Sequence, residues 1–314
     1  MIDILLSGTT QGLIWALLAL GVYVSYRILD VADLTCEGCI TLGASVAALM
    51  IWKSVNPVIA IVVAFIAGCL AGVVTGVLHT KFKIPPILAG ILTMISLYSI
   101  NIHIMSYATK TEGTANLSLL TFRDGTVYAK LQKLLGLNKA SASIILGIVL
   151  CVLIVCALYW FFGTELGSAI RATGNNGKMC RAQGIDTDMI KIVGLALSNG
   201  LIAVSGAMLC QYQGYSDVNM GVGSIVIGLA SIIIGEALFA RAKNFMMKLI
   251  GIVVGSIIYR VVVALVIFSG MPSTDLKLMT AVVVIIALTI PHLFKKGHKK
   301  KKVTAKNKEV AENE

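Results

Sequence analysis

The sequence predicts an all-α polytopic membrane protein of about nine transmembrane helices, and two observations carry that prediction. Only 13% of the 314 residues are charged while 57% are apolar; a water-soluble domain of this length carries roughly a quarter charged residues. The apolar residues are also gathered in blocks of about 20, the length an α-helix needs to cross roughly 30 Å of hydrocarbon. The longest polar interval, 108–141, could hold little more than a short helix. One membrane domain over 1–294 with a basic tail over 295–314 is therefore expected.

The candidate spans are 4–26, 38–53, 57–79, 86–107, 142–163, 192–213, 222–240, 249–269 and 277–293. The first starts almost at Met1 with no A-x-A-like site behind it, so it reads as a retained span rather than a cleaved leader. The second is short and overlaps a segment, Asp30 to Gly43, rich in Asp, Thr, Glu and Gly. Backbone of that composition sits at membrane depth only where protein or water satisfies its polar groups. Asp33, Thr35 and Glu37 are thus candidates for a polar path through the bundle, or else caps and tertiary pairs. Cys36 and Cys39 form a C-x-x-C that lacks the second pair a zinc site needs, and they read as small buried hydrophobes.

The third span carries Gly68, Gly72 and Gly76, and the eighth carries Gly251 and Gly255. Small residues at this spacing let helix backbones approach closely. Asn101 and His103, near the outer end of the fourth span, read as packing residues. Within 108–141, Val127, Leu131, Leu134 and Leu135 fall at helical spacing and predict a short interfacial helix. Between the fifth and sixth spans lies a polar stretch, Gly167 to Ile185, which reads as two short helical turns split at Gly174 to Gly177. It has an Ala/Ile/Met face and an Arg/Lys face. A moving partner could grip such a protruding element; a plain solvated connection is the other reading.

After the sixth span comes Tyr215 to Gly223, with Asp217 and Asn219, and then a small-residue helix containing Gly228-Leu229-Ala230-Ser231. This repeats the order of the first unit, an Asp-containing loop followed by Leu42-Gly43-Ala44-Ser45. Two like units of opposite orientation are the mark of an inverted repeat. Glu236 lies near the inner end of the seventh span. Arg260 lies about midway along the eighth, among Ile257, Ile258, Val261 and Val262. An ionised side chain there costs several kcal/mol unless it faces the bundle interior and finds a partner. Arg260 therefore reads either as a contact for a carboxylate or as a pair with an acid such as Glu236 or Asp217.

The net charge of +11 comes from short loops and from the tail, where eight Lys face three Glu. That is the positive-inside pattern, with the tail beside anionic lipid, and not a nucleic-acid surface. With the C-terminus in the cytosol, eighteen Lys and Arg fall inside and seven outside, which places Met1 outside. Trp15, Trp52, Tyr107, Trp160, Tyr212 and Tyr215 read as an aromatic belt. The four His are too scattered for a metal site, no Ser/His/Asp set is discernible, and there is no G-x-x-x-x-G-K-[ST] with which this chain could hydrolyse ATP. No catalytic residue, metal or cofactor is expected.

Four stretches carry a family resemblance. They are Ala19-Leu20-Gly21-Val22-Tyr23 through Asp33-Leu34-Thr35-Cys36-Glu37-Gly38 to Leu42-Gly43-Ala44; Arg171-Ala172-Thr173-Gly174-Asn175; Ser198-Asn199-Gly200 through Gly228-Leu229-Ala230 to Gly235-Glu236-Ala237-Leu238; and Tyr259-Arg260 with Asp275-Leu276-Lys277-Leu278. In this order they resemble the ABC-importer permeases of the branched-chain amino acid and ribose type, closest to the tryptophan/tyrosine-type subgroup. The turn at Cys36 and Cys39 departs from the residues usual there. The resemblance implies a homodimer of permeases, two cytosolic ATPase subunits that bind ATP, and an external substrate-binding protein. It implies a multi-pass protein of the bacterial cytoplasmic membrane that passes a small solute inward by alternating access, an aromatic or branched-chain amino acid being the first expectation. The stretch with Arg171, Gly174, Asn175, Lys178, Met179 and Gly184 would be the coupling loop to the ATPase. Asp33, Thr35, Glu37, Asp217, Asn219, Glu236 and Arg260 would be the candidates along the translocation path. The alternatives are an ion-coupled secondary transporter, which needs a relay of membrane acids, and a channel or structural membrane protein, which needs no gripped loop.

Overall fold

The computed structural model describes residues 2–136, 138–240 and 244–268, with residues 278, 281–282, 284–285 and 289 beyond them. Most of the ninth expected span and all of the tail lie outside the described residues. The helices are α1 (Ile2–Val22), α2 (Thr35–Trp52), α3 (Pro57–Thr80), α4 (Pro86–Thr109), α5 (Val127–Leu135), α6 (Lys139–Phe161), α7 (Glu165–Ala182), α8 (Thr187–Gln213), α9 (Ser224–Leu238) and α10 (Phe245–Phe268). Two short strands, β1 (Asn116–Ser118) and β2 (Tyr215–Asp217), pair antiparallel. They mark one end of the bundle and α7 marks the other. Among the described residues seven helices are long and apolar enough to cross a membrane, while α9 is apolar but too short.

Burial explains the arrangement. α8 is the axis, with 78% of its apolar window buried, against 33% for α3. The exposed side of α3 carries Val58, Ile59, Val62, Ile66, Leu70 and Val74. An apolar stripe of that length needs lipid or another apolar surface against it. On its other side Gly68, Gly72 and Gly76 lie on Asn199, Leu195 and Ile192 of α8. Gly251 and Gly255 of α10 meet Gly235 and Ser231 of α9 in the same way, so the small-residue spacing read from the sequence marks two helix contacts. α10 runs antiparallel along α1, where Gly12 meets Ile257 and its carbonyl accepts from the Ser256 hydroxyl at 2.9 Å.

Several ends have local causes. α1 widens into a π-helical turn over Tyr23–Ile28, and Leu29 N–H reaches back to the Val24 carbonyl at 3.0 Å. Asn56 caps α3 through Val58 N–H, with Pro57 as the first helical residue. The helix expected in 108–141 is α5, capped by the Thr126 hydroxyl on Ala129 N–H and ended by left-handed Gly136. The polar stretch before the sixth span is one element, α7, broken at Asn176, whose φ of −155° and ψ of 86° lie outside the helical region.

One expectation needs correcting. The seventh span, read as 222–240, is the 15-residue α9, about 22 Å at the helical rise. It begins inside the bundle, beside the start of α2. Thr35 is held to Thr75, five residues before the end of α3, and the Gly38 carbonyl accepts from Asn101, eight residues before the end of α4. From that level α2 runs to the β1–β2 end, where Trp52 packs on Phe122 at 4.8 Å. α9 runs the other way, to Glu236 near the α7 end. The two helices thus start together and diverge.

Candidate functional site

The polar residues singled out in the sequence fall into four places along the bundle. At the β1–β2 end a cavity of about 480 Å³ is lined by Trp15, Asn116, Leu209, Gln213, Tyr215, Asp217, Asn219 and Met220. Asp217 is fixed there by β2: one carboxylate oxygen accepts from the Asn116 amide at 3.3 Å and the other from Asn219 N–H at 2.8 Å. Trp15 closes the cavity from α1 and is buried, so it does not belong to the aromatic belt, whereas Tyr107 and Trp160 are exposed as a belt requires. The Arg260 guanidinium lies over the Trp15 ring, 4.1 Å from its centroid. The paired-acid reading of Arg260 is corrected for Glu236, which binds Arg27 instead, and Asp217 makes its contacts to Asn116 and Asn219. Arg260 Nε, Trp15 Nε1 and the Tyr259 hydroxyl are buried donors without a partner among the described residues. Two of these donors, Arg260 Nε and Trp15 Nε1, belong to the stacked pair, and unmatched donors there suit an acceptor brought by a ligand.

Below this cavity the starts of α2 and α9 meet. The Glu37 carboxylate accepts from Gly223 N–H at 3.0 Å, and Gly221 lies so close to the Glu37 carbonyl that any side chain there would collide with it. The first turn of each helix carries excess positive potential, which suits a carboxylate between them. The Thr41 hydroxyl also reaches the Val218 carbonyl at 3.4 Å.

The third place is a closed lattice. Asp33 is buried, accepting from Thr35 N–H at 2.8 Å and from the Asn199 amide at 2.6 Å. The Thr35 hydroxyl touches Thr75, which donates to Thr93 at 3.0 Å. Gly90 of α4 fits against Leu34 and Asp33. Asp33 and Thr35 therefore tie α2, α3, α4 and α8 together. Asn199, Thr75 and Thr93 were not singled out for this role; the signal was the polar side chain within each otherwise apolar helix.

The fourth place is the α7 end. Gly174 rests on the Ile28 carbonyl with no room for a side chain, so α7 docks directly on the last turn of α1. Arg171 donates to the Phe162 carbonyl at 2.7 Å and covers the Phe245 ring. Asn175, Lys178 and Met179 are exposed on the same element, and Gly184 turns the chain toward α8 with a φ of 82°. Arg27, with Glu236 at 2.8 Å, lines a cavity of about 500 Å³ together with Asp30, Arg171, Asn175 and Lys248. Among the described residues no group of three His, Cys, Asp or Glu could hold a metal ion.

Residues 4–289 match the family described as branched-chain amino acid transport system / permease component. The chain is 42% identical over 289 residues to the tyrosine transport system permease protein of Clostridioides difficile, covering 92% of each. It is 32% identical over 290 residues to an uncharacterised protein of Rickettsia prowazekii, covering 91% of this chain and 97% of the other. It is 24% identical over 260 residues to the ribose import permease protein of Escherichia coli, covering 82% and 76%. No solved structure matches it. The chain belongs to the family of branched-chain amino acid transport system permease components, and it is a multi-pass membrane protein.

Proposed function

We propose that this permease component is the membrane-spanning subunit of an ATP-driven importer, working as a homodimer with two cytosolic ATPase subunits and an external binding protein. The β1–β2 end faces outward and α7 faces the cytosol, in keeping with the Lys and Arg distribution. A small solute enters the cavity at Trp15, Asp217 and Asn219, near Arg260 on the Trp15 ring, and passes the α2–α9 junction at Glu37. It leaves past Arg27 and Glu236. The starts of α2 and α9, diverging from one level, are the inverted pair around which alternating access would turn. An aromatic amino acid is the favoured solute. The tyrosine permease relative supports it, as does a cation on an aromatic ring beside unmatched donors, a setting suited to a carboxylate and a ring.

The observation that carries the reading is the fit of Gly174 on Ile28. An exposed element with this rigid seat on α1 can pass a push from an ATPase into the bundle. Replacing Gly174 with Leu should leave the permease inserted while ATP hydrolysis by the reconstituted complex no longer drives uptake. The assay measures both rates in proteoliposomes. Normal uptake per ATP in that variant would place coupling elsewhere. A cysteine introduced at Asn175 should stay unlabelled by an impermeant thiol reagent added outside intact cells, and one at Asn116 should react; the opposite result would invert the orientation.

A further inference from the structure

A second polar cavity at the α7 end has no part in the path above. It measures about 430 Å³ and lies between α3, α4, α7 and α8. Its wall carries His79, Lys178, Arg181 and Lys191 and a single acid, Asp30. Arg181 is already committed, to Asp188 and the Thr187 hydroxyl. Lys178 and Lys191 have no acidic partner among the described residues. Lys191 donates to His79 Nε2 at 3.4 Å, and Nδ1 of that ring faces the Ile84 carbonyl at 3.0 Å. The two contacts suit a neutral His79 with its proton on Nδ1, aimed at Ile84. The Lys191 ammonium is thereby held at the cavity wall with further N–H donors to spend. The cavity also borders apolar surface: Pro86 forms part of its wall, and the next residues of α4, Ile87 and Leu88, are exposed.

We propose that this cavity binds a phosphate-bearing anion, and specifically the headgroup of an anionic phospholipid. Two ammonium groups without an acidic partner among the described residues supply the charge and the donors that a phosphate requires. The apolar flank on α4 favours a headgroup with acyl chains over free phosphate, because the chains would cover Ile87 and Leu88 while the phosphate meets Lys191 and Lys178. The site touches α7 through Lys178 and α8 through Lys191, so occupancy would brace α7 against the helices it moves with.

The test uses the full-length permease in detergent micelles, titrated with phosphatidylglycerol, phosphatidylcholine and inorganic phosphate, with the thermal unfolding midpoint as readout. Phosphatidylglycerol should raise the midpoint and phosphatidylcholine should not. Lys191→Gln should weaken the phosphatidylglycerol response about fivefold in concentration, and the Lys178→Gln/Lys191→Gln pair roughly 25-fold. Lys191→Arg should bind like the native protein, and so should Lys53→Gln at the opposite end. Because Lys178 is exposed, Lys178→Gln alone should fold normally and still lose about fivefold. A response to inorganic phosphate with the same residue dependence, and none to phosphatidylglycerol, would keep the anion site and overturn the lipid as its source. An unchanged phosphatidylglycerol response in the double variant would overturn the site itself, as would an equal loss in Lys53→Gln.

Discussion

Asp33 and Arg260 are both ionisable side chains within an apolar bundle, and the protein treats them in opposite ways. Both oxygens of Asp33 are answered, one by the Thr35 backbone and one by Asn199. Arg260 has the face of Trp15 and a buried Nε that nothing among the described residues accepts. A buried polar group whose partners are all internal belongs to the fold, because removing it strands donors that water cannot reach. A cation whose buried Nε is unanswered among the described residues suits an acceptor that a solute could bring. The contrast separates two roles that a charge count along the sequence would merge.

The strongest way to break this comparison is to remove the satisfied acid. Asp33→Leu strands Thr35 N–H and one donor of the Asn199 amide, each costing roughly 1–3 kcal/mol. The permease should express poorly and unfold at a clearly lower temperature in detergent, as read by a fluorescence melt. Asn199→Leu should also destabilise, and Asp33→Leu on top of it should cost much less than on the native background, since the two share one hydrogen bond. A stable Asp33→Leu protein that fails only in transport would move Asp33 from the lattice to the path.

The next largest effect tests Arg260. Arg260→Leu should leave the unfolding midpoint close to native, because Arg260 has no ion pair among the described residues to lose. Uptake should fall roughly 10- to 100-fold, the equivalent of the ~1.5–3 kcal/mol attached to a hydrogen bond with a charged group. Arg260→Lys should recover only part of that rate, since an ammonium lacks the planar fork that grips a carboxylate with two bonds. Unfolding of Arg260→Leu with unchanged uptake by the surviving protein would make the two residues alike and end the comparison.

The long helices were legible in the sequence for a plain reason. An apolar run of about 20 residues with a capped and proline-marked start, such as Asn56-Pro57 before α3, specifies its element locally. The close contacts of Gly68, Gly72 and Gly76 were legible too, since small-residue spacing is itself a packing signal. What escaped was set by contacts distant in the chain. The start of α9 inside the bundle depends on left-handed Gly223 and on Glu37, 186 residues earlier. The apolar composition of 222–240 could not show it. The pairing of β1 with β2 joins Asn116 to Asp217 across 101 residues, with three-residue strands too short for a periodic signal. For Arg260 the sequence offered a carboxylate contact or a paired acid, and gave no sign of the ring beneath it, which belongs to Trp15 near the other end of the chain.

The smallest expected effect sharpens the comparison most, because it asks whether Trp15 serves the fold or the ligand. The ring is buried, and its indole nitrogen has no partner among the described residues. Replacing it with Phe keeps an aromatic face under Arg260 but removes the indole donor and part of the quadrupole, which is strongest in Trp. A cation–π contact is worth about 0.5–2 kcal/mol, and Phe retains some of it, so uptake should fall only about two- to fivefold. In the Arg260→Leu background the cation is gone, and Trp15→Phe should then change uptake little beyond the first loss. The coupling between the two substitutions is the quantity to measure, in a cycle of four proteins assayed for uptake and for melting midpoint. Coupling in uptake with additive midpoints is the expected pattern, placing the Arg260–Trp15 contact at the solute. Coupling in the midpoints alone would make the contact a second internal lattice, built on a ring where Asp33 uses an amide.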